Sequence, residues 1–300
     1  MEVTVVEVGP RDGLQNEERV LSPAARARLI ERLAAAGLPR IEAVSFVHPG
    51  RVPTMAGAEG VADSLSPTAL GRSWGLVLNE RGYERLASTS LRGVRLAVAC
   101  TESFSRRNTG LSIEKAVSAA ELVIRRAHTD GRTVGVTLAV SLGCPFEGVV
   151  SRAVVLSLAE RFLAAGADEL VFADTVGMGV PSDVTRLVGA VVDAGVPIGV
   201  HLHDTRNTAI AGALAAVHAG ATVLDASVGG LGGCPFAPGA TGNVATEDLV
   251  YVLHREGVAT GVDLDALLSI AHELPGLVGH EIPGAVQKAG PGLPAPSAAP

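Results

Sequence analysis

The stretch IGVHLHDTRNTA, residues 198–209, places His201 and His203 two positions apart at the end of a Val/Ile run. The whole chain has only eight histidines. Side chains along a strand alternate in direction, so both imidazoles project to one face with Leu202 opposite. Neutral imidazole is a good ligand for several divalent metals. A lone histidine here would read as an internal hydrogen-bonding group, but a spaced pair with acidic residues at neighbouring strand ends reads as a metal site. Asp12, after the first strand, is the best carboxylate for it, and Asn243, after the last, could supply an amide oxygen. This mixed N/O set without thiolate suits Mg or Mn with open water positions better than a closed structural zinc.

Residues able to handle charge and protons surround this set. Arg11 adjoins Asp12, and its guanidinium offers a fixed fork of donors to an enolate or carboxylate oxygen. Glu42, in IEAVSF, could hold that arginine in place. Asp174 follows the sixth strand, and Gln15 and Ser45 join Arg11 as expected substrate-binding residues. Cys234 lies in SVGGLGGCPFAPGATGN, a loop glycine-rich enough to close over a ligand. A thiol there could give or take a proton. Arg11, Glu42, Asp174 and Cys234 thus gather as ionisable candidates on this rim, and the resemblance described below implies that all four are catalytic. Cys100 and Cys144 read as small buried thiols, and three dispersed cysteines with no C-x-x-C pair make no disulfide framework.

Short β-branched runs alternate with Ala/Leu/Arg segments of helical period, the pattern of a parallel sheet wrapped by helices. Strands are expected near 3–8, 40–46, 74–78, 93–100, 133–140, 169–173, 198–202 and 222–227. Helices follow at 23–37, 53–64, from 80, at 113–130, 152–165, from after Pro181-Ser182-Asp183 to 195, at 207–219 and from 246. Ser22 and Ser112 serve as N-caps, with Pro23 at the first helical position and Gly37 as a stop. Such a repeat closes a (β/α)8 TIM barrel. An extra C-terminal helix is expected near 264–274. The loop after the first strand reads GPRDGLQNEE, without the glycine pattern of an open dinucleotide-binding sheet. One catalytic domain spanning 1–285 and a Pro/Ala-rich tail at 286–300, expected to be disordered, complete the division. In a barrel, chemistry belongs to the C-terminal strand ends, and the ionisable residues named above gather there.

The bulk numbers narrow the classes. A net charge of −7 without a basic cluster argues against nucleic acid. No apolar run is long enough for a membrane span and no signal-like leader opens the chain, so a cytoplasmic location is expected. Hydrophobic content is 47% but aromatics only 3%, so the core must be built from Val, Leu, Ile and Ala.

The segments VEVGPRDGLQNE, IEAVSFVHPGRVPTM, SLGCPFEG and GGLGGCPFAPGATGNVATEDLVY resemble the signatures of 3-hydroxy-3-methylglutaryl-CoA (HMG-CoA) lyases, metal-dependent TIM-barrel enzymes. The likeness spans roughly residues 3–275. It implies cleavage of HMG-CoA, or of a closely related 3-hydroxyacyl-CoA, to acetyl-CoA and acetoacetate in a metal-assisted retro-Claisen reaction. Carried over, the metal ligands fall on Asp12, His201, His203 and Asn243, the enolate-stabilising arginine on Arg11 and the loop acid on Cys234. A homodimer acting on an acyl-CoA thioester, with Mg or Mn, is implied too. The chain departs from the family at Arg206-Asn207-Thr208, where Tyr-Gly-Gln is usual, and at Thr109-Gly110-Leu111, so the acyl group is left open. An acetyl-CoA-dependent condensing enzyme of the same superfamily and a non-catalytic acyl-CoA-binding barrel are the alternatives.

Overall fold

The structure, a computed structural model, describes residues 1–233 and 242–292. Its strands are β1 (Thr4–Glu7), β2 (Arg40–Ser45), β3 (Ser73–Val77), β4 (Gly93–Ala99), β5 (Thr133–Ala139), β6 (Glu169–Asp174), β7 (Ile198–Leu202) and β8 (Val223–Ala226). Each pairs in parallel with the next, and β8 pairs with β1, where Val5 faces Leu224 in the register, so the barrel is closed. This is the TIM barrel expected from the sequence.

Helices cover the outside: α1 (Pro23–Ala35), α2 (Ala58–Asp63), α3 (Pro67–Arg72), α4 (Glu80–Ala87), α5 (Glu102–Thr109), α6 (Ile113–Thr129), α7 (Arg152–Ala164), α8 (Pro181–Gly189), α9 (Ala209–His218), α10 (Thr246–Arg255), α11 (Leu264–Val278) and α12 (Val286–Ala289). Short polar side chains start several of them. Ser22 Oγ accepts from Ala25 N at 3.2 Å and Asn79 Oδ1 from Gly82 N at 3.0 Å. Each such cap is worth about 1 kcal/mol. On α6 the buried residues Ala116, Val117, Ala120, Val123, Ile124 and Ala127 form one stripe at helical spacing. Fully burying each of its larger side chains contributes about 1.5–3 kcal/mol.

The differences from the sequence reading have local causes. The helix expected over 53–64 is broken at Gly57, whose φ of +74° ends a short 3-10 turn before α2 begins. α8 stops at Gly189 instead of reaching Gly195. α3 and α5 are helices the sequence reading left as connections. α11 runs on to Val278 with Pro275 inside it. The start of the expected tail is ordered as α12, because Asp248 accepts from Val286 N at 2.7 Å and from Ala285 N at 2.9 Å. Among the described residues, no helix is long and apolar enough to cross a membrane.

Candidate active site and metal centre

Backbone geometry at the strand ends builds the site. After β1 the chain makes a five-residue π-helical turn, Gly9–Gly13, in which Asp12 N and Gly13 N both donate to Val8 O. This turn brings Arg11 and Asp12 over the barrel mouth. His201 is the penultimate residue of β7, and His203 follows its end in a bridge to Asn243. The segment holding Asn243 is fixed to β7 by Val244 N donating to Leu202 O at 3.0 Å. Gly232 must be glycine here: its φ is +105°, and a Cβ would lie 2.5 Å from Asn243 Nδ2 and 3.0 Å from Asp12 O.

The two histidines converge, with Nε2 atoms 3.3 Å apart. Asp12 Oδ2 lies 3.9 Å from His201 Nε2. One ligand atom from each of Asp12, His201 and His203 lies within 4.8 Å of the others. Asn243 Nδ2 donates to Asp12 Oδ2 at 2.8 Å and to Leu231 O at 2.9 Å, which leaves Oδ1 buried with no hydrogen-bond partner. An orphaned amide oxygen beside two imidazoles and a carboxylate fits a divalent cation. Burial alone would raise the pKa of Asp12, but Arg11, His201 and His203 outweigh it and hold the carboxyl at about 2, ionised as a ligand must be. Burial first, then His201, pushes His203 down to about 4, so its imidazole is neutral.

Behind these groups lies a charged layer of which the sequence pointed out only Glu42. Each even-numbered strand contributes one residue: Glu42 from β2, Arg95 from β4, Glu169 from β6 and Asp225 from β8. Alternate strands of such barrels share interior layers, normally filled by branched apolar side chains. Here Arg95 makes ion pairs with Glu169 at 2.8 Å, Glu42 at 3.5 Å and Asp225 at 3.9 Å. Each carboxylate also meets a second partner. Glu42 pairs with Arg11 Nε, Glu169 with Arg40, and Asp225 Oδ2 accepts from His201 Nδ1 at 3.2 Å. Counted with Asp12, four carboxylates face the guanidinium groups of Arg11, Arg40 and Arg95, an excess of one negative charge that also suits a cation. The available signal was an arginine in GVRLAVA and an acid in VLDA, charged residues inside strands that must find partners in the lumen.

A cavity of about 1020 Å³ opens over the cluster and reaches Arg11, Asp12, Gln15, Arg95, His201 and His203. Ser45 is placed differently: it is fully buried on β2, its hydroxyl has no partner, and it does not line this cavity. Asp174 is not brought to the cluster either. Its two oxygens accept from Met178 N at 2.9 Å and Gly179 N at 2.8 Å, and it closes its own loop. Arg206, where the sequence departs from the resembled pattern, donates to the carbonyls of Val176 and Gly177 at 3.2 and 2.7 Å and braces that same loop. Cys100 and Cys144 are buried, and burial pushes the Cys100 thiol up to about 12. Cys234 lies outside the described residues.

Comparison with known proteins agrees with this geometry. A family model described as HMGL-like matches residues 2–274. The (R)-citramalyl-CoA lyase of Chloroflexus aurantiacus is 46% identical, the match covering 97% of this chain and 96% of that protein. The hydroxymethylglutaryl-CoA lyase of Pseudomonas mevalonii is 42% identical over 92% of this chain and 93% of its own. Among solved structures, an HMG-CoA lyase from Acinetobacter baumannii in complex with coenzyme A and 3-methylmalate superposes with a TM-score of 0.92 at 35% identity, covering 96% of this chain and 95% of that one.

Proposed function

The chain belongs to the HMGL-like family, and from that premise we propose that it is a carbon–carbon lyase releasing acetyl-CoA from a 3-hydroxyacyl-CoA thioester. One observation carries the reading: ligand atoms of Asp12, His201 and His203 converge within 4.8 Å of one another beside Arg11 in one large cavity, with Asn243 bonded to Asp12. Asp12, His201, His203 and Asn243 would hold a divalent ion, Mg or Mn, that polarises the substrate's hydroxyl and acyl oxygens.

The remaining steps belong to the chain's own side chains. Arg11 commits Nε to Glu42 and Nη1 to Asp12 at 2.6 Å, which leaves Nη2 without a partner among the described residues. That donor is suited to the thioester oxygen, where negative charge grows as the C–C bond breaks. A basic side chain takes the proton of the tertiary hydroxyl. The electrons of the broken bond pass to the thioester enolate, and a proton returned to its carbon gives acetyl-CoA. Cys234 is proposed as that acid on the strength of its loop sequence and the family resemblance.

HMG-CoA would leave acetoacetate as the second product. A second reading is (R)-citramalyl-CoA, one methylene shorter, which would leave pyruvate. It is favoured by the 46% identity to the Chloroflexus enzyme and by the short hydroxy-diacid in the Acinetobacter complex. Steady-state assay against both thioesters, with the oxo acid identified, tests the proposal. Acetyl-CoA formed in equal amount with acetoacetate or pyruvate supports it. CoA released only from acetyl-CoA plus a 2-oxo acid would point to a condensing enzyme.

A further inference from the structure

The Arg95 side chain is 2% exposed, yet among the described residues it pairs with neither a metal ligand nor Arg11. Its partners do. Glu42 gives Oε1 to Arg11 and Oε2 to Arg95, and Asp225 gives Oδ2 to His201 and Oδ1 to Arg95. The contacts close a ring: Asp12, Arg11, Glu42, Arg95, Asp225, His201 and back to Asp12. Arg95 is itself confined. Its guanidinium carbon lies 5.4 Å from the Trp74 ring centroid, and on β5 the position beside it is Gly135, where a Cβ would come within 2.7 Å of Nη1.

We propose that Arg95 is a positioning residue, which through Asp225 aims His201 Nε2 at the metal and through Glu42 aims Arg11 at the substrate. The inference rests on the metal-centre reading above. Three carboxylates converging in a low-dielectric lumen would repel one another and rotate away from their outer partners without a central cation. A guanidinium can face three carboxylates from different strands at once because its donors form a planar fork. A lysine keeps the charge but loses the fork. Arg95→Lys therefore tests position apart from charge.

The experiment is Mn2+ titration of the chelator-treated full chain, for wild type, Arg95→Lys, Asp225→Asn and the double variant. Loss of an outer-shell partner weakens metal binding about 10–100-fold. We expect Arg95→Lys to bind Mn2+ about tenfold more weakly. In the double variant the loss should exceed that of Asp225→Asn by no more than about twofold, because both changes act on the same imidazole. A merely structural Arg95 would lower the thermal midpoint but leave Mn2+ affinity at the wild-type value, or its effect would multiply with that of Asp225→Asn. Either result overturns the proposal. If Arg95→Lys does not fold, the charge-balanced pair Arg95→Gln with Glu169→Gln carries the same comparison. A wild type that binds no Mn2+ overturns the metal reading and this proposal together. Wild-type binding with unchanged affinity in Arg95→Lys overturns this proposal alone.

Discussion

Asp225 Oδ2 stands 3.2 Å from Nδ1 of His201, so the imidazole hydrogen is held on Nδ1 and the Nε2 lone pair faces His203 and Asp12. This fixes tautomer and ring angle together, which is how outer partners tune a metal-binding histidine. Asp225→Asn keeps the shape but lets its amide donate to the ring, favouring the wrong tautomer. Mn2+ affinity is expected to fall about 10–100-fold, as read by calorimetric titration. Unchanged affinity would show that His201 needs no such partner.

Arg11 has two donors fixed by Glu42 and Asp12. Arg11→Lys preserves charge but loses the fork. If Arg11 meets oxygen charge that develops only as the bond breaks, kcat and kcat/KM should fall together, by about 10²–10³-fold. A rise in KM with kcat intact would assign Arg11 to ground-state binding instead.

Gly232 leaves no room for a side chain between Asn243 and the Asp12 carbonyl. Gly232→Ala, at a φ of +105°, should displace Asn243 and weaken Mn2+ binding about tenfold or more. Wild-type Mn2+ affinity in this variant would remove Asn243 from the ligand set.

Glu247 accepts from Gly229 N at 3.0 Å, while its Oε1 is buried without a partner. Burial raises its pKa from 4.5 to about 7. The folded protein therefore holds this proton more tightly than the unfolded chain. The destabilising effect of ionisation is absent below about pH 4.5 and fully present above about pH 7. Glu7, raised to about 7 mainly by burial, adds the same sign. Thermal midpoints of Glu247→Gln should exceed wild type at pH 8 and approach it at pH 5. A parallel offset at both values would contradict the buried-acid account.

Strand and helix periodicity exposed the barrel, because short apolar strands alternate with helices all the way round one closed sheet. The histidine pair was legible for the same reason: a period of two forces both rings to one face. Asp174 carried less information, since a strand-end acid can also bind its own loop, and its oxygens accept from Met178 N and Gly179 N. Arg95 and Asp225 escaped notice because their roles depend on contacts across the lumen between strands far apart in sequence. Periodicity along one strand carries no such information. The role of Arg206 became visible only with the loop it braces.

The central claim is metal-dependent cleavage of a 3-hydroxyacyl-CoA at the Asp12–His201–His203 centre. The most direct measurement is acetyl-CoA release from HMG-CoA and from (R)-citramalyl-CoA by chelator-treated protein, before and after adding Mg2+ or Mn2+. The account predicts no release without the ion, and restored release with at least one substrate, matched one for one by acetoacetate or pyruvate. Undiminished turnover in chelator, or no acetyl-CoA from either substrate with the ion present, would contradict it.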